Sequence, residues 1–313
     1  MIDNLILSVN IVAPLSLMML IGYLLKKVKL FDSHTIGKMN RIVFNFLLPV
    51  LIIQNIYTSD ISEAFDPLII GFAFITIMII WVTAMLTVPR IIKDNASRGV
   101  IIQSLFRSNY ILFALPIIRQ LYGDGNTSIT DLLILLVVPL YNILAVITLE
   151  KYRGGKPQIK TILFGIMKNP IIIGAVIGIC LQLFNIKIGF IFEKLISDVS
   201  RIATPLALIV LGGFFQFTGI KNMLKRALIT TAMKIFIIPA IFVSVSILAG
   251  FRGVDLATLF VLYGAPIAVS SFTMAVEMEG NAELAGRLTV FTSIGSVVTI
   301  FFGLFILRSF ELI

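Results

Sequence analysis

Apolar residues run on along most of this chain, without the alternation of a half-buried strand. The runs cover roughly 5–25, 38–57, 67–89, 98–120, 130–149, 163–184, 200–217, 227–249, 255–276 and 286–307. Each is near the roughly 20 residues a helix needs to cross the hydrocarbon core of a bilayer. Their continuity disfavours a transmembrane barrel, whose strands alternate apolar and polar positions. The pattern predicts an all-α integral membrane protein of ten transmembrane helices, the second and seventh being the shortest. The N-terminal stretch carries Asp3 and no basic segment, so the first run is expected to be a retained span, not a cleaved signal peptide.

Composition sharpens this picture. Apolar residues make up 58% of the 313 and charged residues 13%, and mean hydropathy is +1.06. A soluble domain is about one quarter charged and needs that charge to cover its surface. The net charge of +9 would raise nucleic acid as a partner in a soluble protein. Here the basic residues fall in short loops between apolar runs, as membrane topology demands, and nucleic-acid binding is not expected. One cysteine, Cys180, and one histidine, His34, exclude an intrachain disulfide and a zinc site of the usual ligand types. No metal or cofactor is expected, and an intramembrane enzyme lacks its nucleophile or metal machinery.

Charge also assigns sidedness. Seventeen lysines and arginines fall in the loops after spans 1, 3, 5, 7 and 9, against six on the other side, where Asp60, Glu63 and Asp66 also lie. The side richer in Lys and Arg faces the cytoplasm, so a cell-membrane protein with both termini outside is predicted.

The chain also matches itself. Pro14 and Pro170, Pro49 and Pro205, and Gly22 and Gly178 each stand 156 residues apart. This offset divides the sequence into five spans within 1–150, a basic linker at 151–162, and five spans within 163–313. Five is odd, so the second half enters the membrane from the opposite side. An inverted repeat of that kind recurs among secondary transporters.

Polar chemistry concentrates where the repeat places it. The fourth span contains Arg107-Ser108-Asn109-Tyr110 followed by Pro116, and the ninth contains Gly264-Ala265-Pro266 followed by Ser270-Ser271. Less the offset, Gly264, Ala265 and Pro266 fall on Ser108, Asn109 and Tyr110. Both spans therefore carry poor helix formers at equivalent depth. Broken helices in a membrane are tolerated only where protein or a water-filled cavity satisfies the freed backbone. Their half-helix N-termini suit an anion. The candidate substrate contacts are Asn109, Tyr110, Ala265, Pro266, Ser270 and Ser271, and the candidate break points are Pro49, Pro116, Pro205 and Pro266. Arg107 and Lys234 are intramembrane charges, which face a cavity or a partner unless they snorkel to the interface. Glu277 is a candidate proton carrier or ion-pair partner. Asn45, four residues before Pro49, can serve freed backbone or substrate, and Asn142 beside Pro139 marks the fifth span in the same way. Tyr122-Gly123-Asp124-Gly125 lacks the lysine and spacing of a phosphate loop and reads as a turn.

These residues resemble the auxin efflux carrier family, with its bacterial members and plant PIN proteins. The resemblance covers nearly the whole chain and rests on Asn45-Phe46-Leu47-Leu48-Pro49, Arg107-Ser108-Asn109 with Leu115-Pro116 and Leu121-Tyr122-Gly123, and Ala265-Pro266 with Ala275. It implies a five-plus-five inverted repeat with crossed broken helices in spans 4 and 9, of the bile-acid-symporter and NhaA type. Spans 1, 2, 6 and 7 would form a scaffold, and spans 3–5 and 8–10 a transport domain that moves as an elevator. The resemblance also implies a homodimer and a small organic anion as substrate, such as an auxin or a malate- or malonate-like acid. One departure is Ser270, where many bacterial relatives have asparagine. The expectation is an efflux carrier for a small organic carboxylate, the alternative being a proton- or sodium-coupled symporter or antiporter of the same architecture.

Overall fold

The computed structural model describes residues 2–58, 66–123, 126–153, 159–215 and 220–313. Asp60 and Glu63, Asp124-Gly125 and residues 154–158 of the basic linker lie outside the described residues. The chain begins with α1 (Ile2–Lys27), then α2 (Ser33–Ile42), a π-helical turn (Val43–Leu47) and α3 (Leu48–Tyr57) in one rod. It continues through α4 (Pro67–Ile91), α5 (Asn95–Phe106), α6 (Tyr110–Tyr122), α7 (Ser128–Tyr152), α8 (Ile159–Lys168), α9 (Pro170–Leu183) and α10 (Phe190–Phe214). A second rod joins α11 (Ile220–Ala232), a π turn (Met233–Ile237) and α12 (Ile238–Leu248), and α13 (Gly253–Gly264), α14 (Val269–Glu277) and α15 (Ala282–Ser309) complete the chain. Among the described residues, nine helical stretches are long and apolar enough to cross a membrane, and α9 is a shorter apolar helix of 14 residues.

The boundaries differ from the sequence pattern for physical reasons. The second and seventh runs look short, yet Ser33–Tyr57 and Phe190–Phe214 are 25 residues each. Hydropathy reports the apolar slab, whereas backbone hydrogen bonding carries each helix on through polar turns such as Lys38-Met39-Asn40-Arg41 and Glu193-Lys194. The sixth run divides at Asn169. Its side chain accepts from the Ile171 N–H and caps α9, and Pro170 takes the first helical position, where its missing N–H costs nothing.

Three of the four prolines expected at breaks do not interrupt a helix. Pro116 lies inside α6 and Pro205 inside α10. Pro49 follows a π turn whose middle residue, Asn45, is the one four before it. Pro239 stands in the same relation to Ile235 in the second π turn. A proline ring clashes with the carbonyl four residues back, and a widened turn at that place gives the ring room. Asn45 is exposed and donates to the Arg41 carbonyl at 2.9 Å, so its side chain serves backbone.

Two kinds of contact hold the helices together. The first span lies along α10, and α3 lies along α9. Both pairs approach through glycine. A Cβ on Gly22 would stand 1.9 Å from the Ile209 carbonyl oxygen, and one on Gly212 1.8 Å from that of Met19. Small residues let backbones meet in a membrane, where lipid removes any hydrophobic drive between helices. Elsewhere buried hydroxyls and an indole join helices: Thr76 to Tyr263 at 2.7 Å, Trp81 to Thr148 at 2.9 Å, and Thr130 to Thr258 at 3.1 Å. The stretches Gly253–Glu277, Asn95–Tyr122 and Ser128–Tyr152 are 89%, 72% and 67% buried, against 17–39% for the other long spans. The fourth, fifth and ninth spans thus form the interior, and the rest turn apolar faces outward.

Candidate functional site

The site is built where two interior spans lose their helix. Residues 107–109 separate α5 from α6, and residues 265–268 separate α13 from α14. The two unwound segments touch, the Asn109 N–H donating to the Pro266 carbonyl at 2.7 Å. Other freed groups are met from neighbouring elements. Ser108 Oγ donates to the Leu262 carbonyl at 2.8 Å, and Thr292 Oγ1 accepts from the Ile267 N–H at 3.2 Å. This satisfies the requirement that irregular backbone at membrane depth be enclosed by protein.

A cavity of about 120 Å³ adjoins the contact. That is room for several waters or a compact ligand. Its floor is Arg107, Ser108 and Asn109 with the first turn of α6, and Ala268, Val269 and Ser270 at the start of α14. Tyr141 and Asn142 of α7 form one wall, and Leu48, Ile52 and Asn55 of α3 with Thr204 and Ala207 of α10 form the other. The cavity therefore lies between α3 and α10 on one side and α6, α7 and α14 on the other.

Two helix N-termini open onto it. Neither Asn109 before α6 nor Ala268 before α14 makes a side-chain cap. Elsewhere Asp32, Asp66, Asp94, Asn169 and Asn281 cap the helices that follow them, while α7, α10 and α13 also start without a side-chain cap. First-turn N–H groups lack partners within their own helix and carry the positive end of the macrodipole. At α6 that first turn, Tyr110, Ile111 and Leu112, lines the cavity. The Asn109 side chain is half-buried and makes no hydrogen bond to another described residue.

Arg107 supplies the charge. It is 4% exposed, and its guanidinium donates to Asn142 Oδ1 at 2.6 Å, Ser270 Oγ at 2.7 Å and Met274 Sδ at 2.6 Å. No carboxylate among the described residues pairs with it. Asn142 is held in turn by donating to the Val138 carbonyl at 2.9 Å. A positive charge in this setting is expensive without an anion, and three neutral partners hold it at the cavity wall.

The structure brings Asn109, Tyr110, Ser270, Arg107 and Asn142 to one cavity. Ala265 and Pro266 make the backbone contact behind it. Ser271 is buried on another face, its carbonyl accepting from Gln103 Nε2 at 3.0 Å. Glu277 accepts from Asn40 Nδ2 at 2.9 Å, away from the cavity. Lys234 is buried and donates to the Tyr263 carbonyl at 3.3 Å. Sequence reasoning missed Tyr141, whose hydroxyl lies 3.2 Å from Ser108 Oγ, and Thr204. The signals were there: Thr204 directly precedes Pro205, and Tyr141 stands between Pro139 and Asn142, but in each case the neighbour was singled out instead.

Comparison with known proteins agrees with this reading at the level of the family. The family described as membrane transport protein matches residues 7–304. An uncharacterized transporter of Methanothermobacter thermautotrophicus is 22% identical over 94% of this chain and 96% of its own length. One of Methanocaldococcus jannaschii is also 22% identical, over 94% of this chain and 97% of its own. A chain matched from its first span to its last belongs to the membrane transport protein family, the auxin efflux carrier family of transporters.

Proposed function

We propose that this protein is a secondary carrier for a small organic carboxylate of auxin-like or malate/malonate-like kind, working by elevator-type alternating access. The observation that carries the proposal is Arg107: buried, without an acid partner among the described residues, and aimed at a cavity onto which two uncapped helix N-termini open. A carboxylate there accepts from Arg107, the Asn109 amide and the free N–H groups of α6, and it removes the cost of an unneutralised buried charge. The wall from α3 and α10, apolar apart from Asn55 and Thr204, accommodates the rest of the acid.

The architecture is proposed as ten spans in a five-plus-five inverted repeat, with α8–α9 as the sixth. Reciprocal packing supports it. Gly22 meets Ile209, and a Cβ on Gly178 would lie 3.3 Å from the Ile53 Cα. Adding the 156-residue offset to Gly22 gives Gly178, and subtracting it from Ile209 gives Ile53, so one contact is the image of the other. The touching residues Asn109 and Pro266 have their own images at Ala265 and Tyr110, as expected for segments meeting on the repeat axis. The glycine-packed helices α1–α3 and α8–α10 form the scaffold, and α4–α7 with α11–α15 form the moving domain. The cavity on their boundary is where alternating access needs a substrate. The protein is placed in the cell membrane with both termini outside, on the excess of basic residues in the opposite loops.

The test is a thermal-shift screen of purified protein against carboxylates, amines and neutral solutes. Carboxylates alone should raise Tm, and Asn109→Ala should abolish the shift without lowering the ligand-free Tm. Stabilisation by amines only, or an unchanged response in Asn109→Ala, would overturn the assignment.

A further inference from the structure

The boundary that holds the carboxylate cavity contains a second cavity, of about 190 Å³. The two lie in series along α10 and α14. On α10, Thr204 and Ala207 line the first and Leu211 and Phe214 the second, at steps of three and four residues that keep side chains on one helix face. On α14, Ser270 lines the first and Phe272 the second. Leu211 and Phe272 are fully buried, and the Phe214 ring packs edge-on to that of Phe272 with centroids 5.5 Å apart. The far wall comes from the first two turns of α15, with Glu283, Gly286 and Arg287. This end of the bundle is the one proposed to face the cytoplasm. Arg287 is thus a second buried guanidinium on the same boundary. Its side chain is 2% exposed, and it donates to Glu283, one turn back on α15, whose side chain is 40% exposed.

From this geometry we infer that the second cavity is an inner waiting site for the transported carboxylate, and that Glu283 is the resident stand-in for that carboxylate. A buried arginine is costly without an anion, but the anion need not be its own neighbour. Glu283 reaches water and is solvated there, so its departure costs little provided another carboxylate takes its place at Arg287. The incoming acid accepts from Arg287, Glu283 turns outward, and the charge against the buried guanidinium is unchanged by the exchange. Parting of Leu211 from Phe272 then joins this site to the cavity of Arg107, which has no such stand-in among the described residues. Gly286 keeps the space open: a Cβ there would stand 3.4 Å from Leu211 Cδ1 and 3.7 Å from Phe272 Cδ2, and any longer side chain would occupy the cavity. The inference rests on the carrier reading for its ligand class, and it deepens that reading by giving the path a second anion site.

The experiment titrates malonate into purified protein by calorimetry and thermal shift, with Arg107→Met in every variant so that the first cavity is out of play. Adding Glu283→Gln should tighten malonate binding about tenfold or more, the scale of a hydrogen bond between charged groups. The ligand-free Tm of that double variant should be lower, because Arg287 has lost an anion, and malonate should restore it where ethylammonium does not. A further Arg287→Gln should abolish the binding. Gly286→Leu, which fills the cavity and leaves Arg287 in place, should abolish it too, and in protein that keeps Arg107 it should slow malonate efflux from proteoliposomes by a similar factor. Unchanged affinity on Glu283→Gln, binding that survives both Arg287→Gln and Gly286→Leu, or wild-type efflux from Gly286→Leu would each overturn the inference. Failure of every carboxylate to bind otherwise wild-type protein in an Arg107-dependent way would instead overturn the carrier reading, so the two failures are distinguishable.

Discussion

Arg107 is held on three sides by groups without charge: the Asn142 carbonyl oxygen, the Ser270 hydroxyl and the Met274 sulfur. That arrangement orients the guanidinium and leaves its charge for a ligand. Replacing a buried, unneutralised charge by an apolar side chain of similar volume is often neutral or stabilising, by about 1–4 kcal/mol. Arg107→Met is therefore expected to keep or raise Tm while losing carboxylate-dependent stabilisation, as thermal unfolding with and without ligand would reveal. A lower Tm with ligand response intact would make Arg107 a structural residue. Asp94 plays a different part. Its carboxylate caps α5, accepting from the Ser97 N–H at 2.9 Å, and the hydrogen bond to the Ser97 side chain holds its pKa below the usual carboxylate value. A depressed carboxyl pKa contributes stability that is present above the unfolded-state value and lost as pH falls through the folded one. Asp94→Ala should cost about 1 kcal/mol at neutral pH, and the gap from wild type should close in acid; a gap that persists would contradict capping by the charged form. Arg107, Asn109 and Asn142 could be found from sequence because each is conspicuous in an apolar span or beside a proline. Asn40 could not be found that way. It lies at a polar span end, and only the fold buries it against Thr273 and Glu277.

At the scale of helices, glycine decides which pairs approach closely and proline does not decide where helices stop. Gly22 and Gly37 make a controlled comparison. A Cβ on Gly22 would collide with the Ile209 backbone, whereas one on Gly37 would meet nothing within 4 Å. Gly22→Ala should force α1 and α10 apart and cost about 1–3 kcal/mol, as overpacking does. Gly37→Ala should stabilise by roughly 0.5–1 kcal/mol through helix propensity. Unfolding midpoints in detergent would measure both, and equal effects of the two would contradict the proposed close packing. Span positions were legible from hydropathy because the bilayer imposes one length on every helix. The interruptions at 107–109 and 265–268 were legible from clustered poor helix formers. Continuity through Pro116 and Pro205 was not, since proline marks a possible break and the neighbouring packing determines whether one occurs. The π turns before Pro49 and Pro239 carry no composition signal of their own.

For the whole molecule, the cavity lies between α3 and α10 on one side and α6, α7 and α14 on the other, and that boundary is the proposed place where a carboxylate is carried. The 156-residue offset indicated a two-fold plan in the sequence, and the paired contacts Gly22–Ile209 and Gly178–Ile53 fit the same plan in space. What the sequence left unspecified is which acid fits, because the α3 and α10 wall is mostly apolar, with Asn55 and Thr204 as its polar members, and selects largely by shape. The most direct measurement is efflux of labelled malonate, malate and indole acetate from proteoliposomes with an inside-negative potential. Wild type should release at least one of them about tenfold or more faster than Asn109→Ala, Arg107→Met or empty vesicles, the scale expected when a charge-assisted contact to substrate is removed. Equal efflux from wild type and both variants, at equal protein loading, would contradict the account.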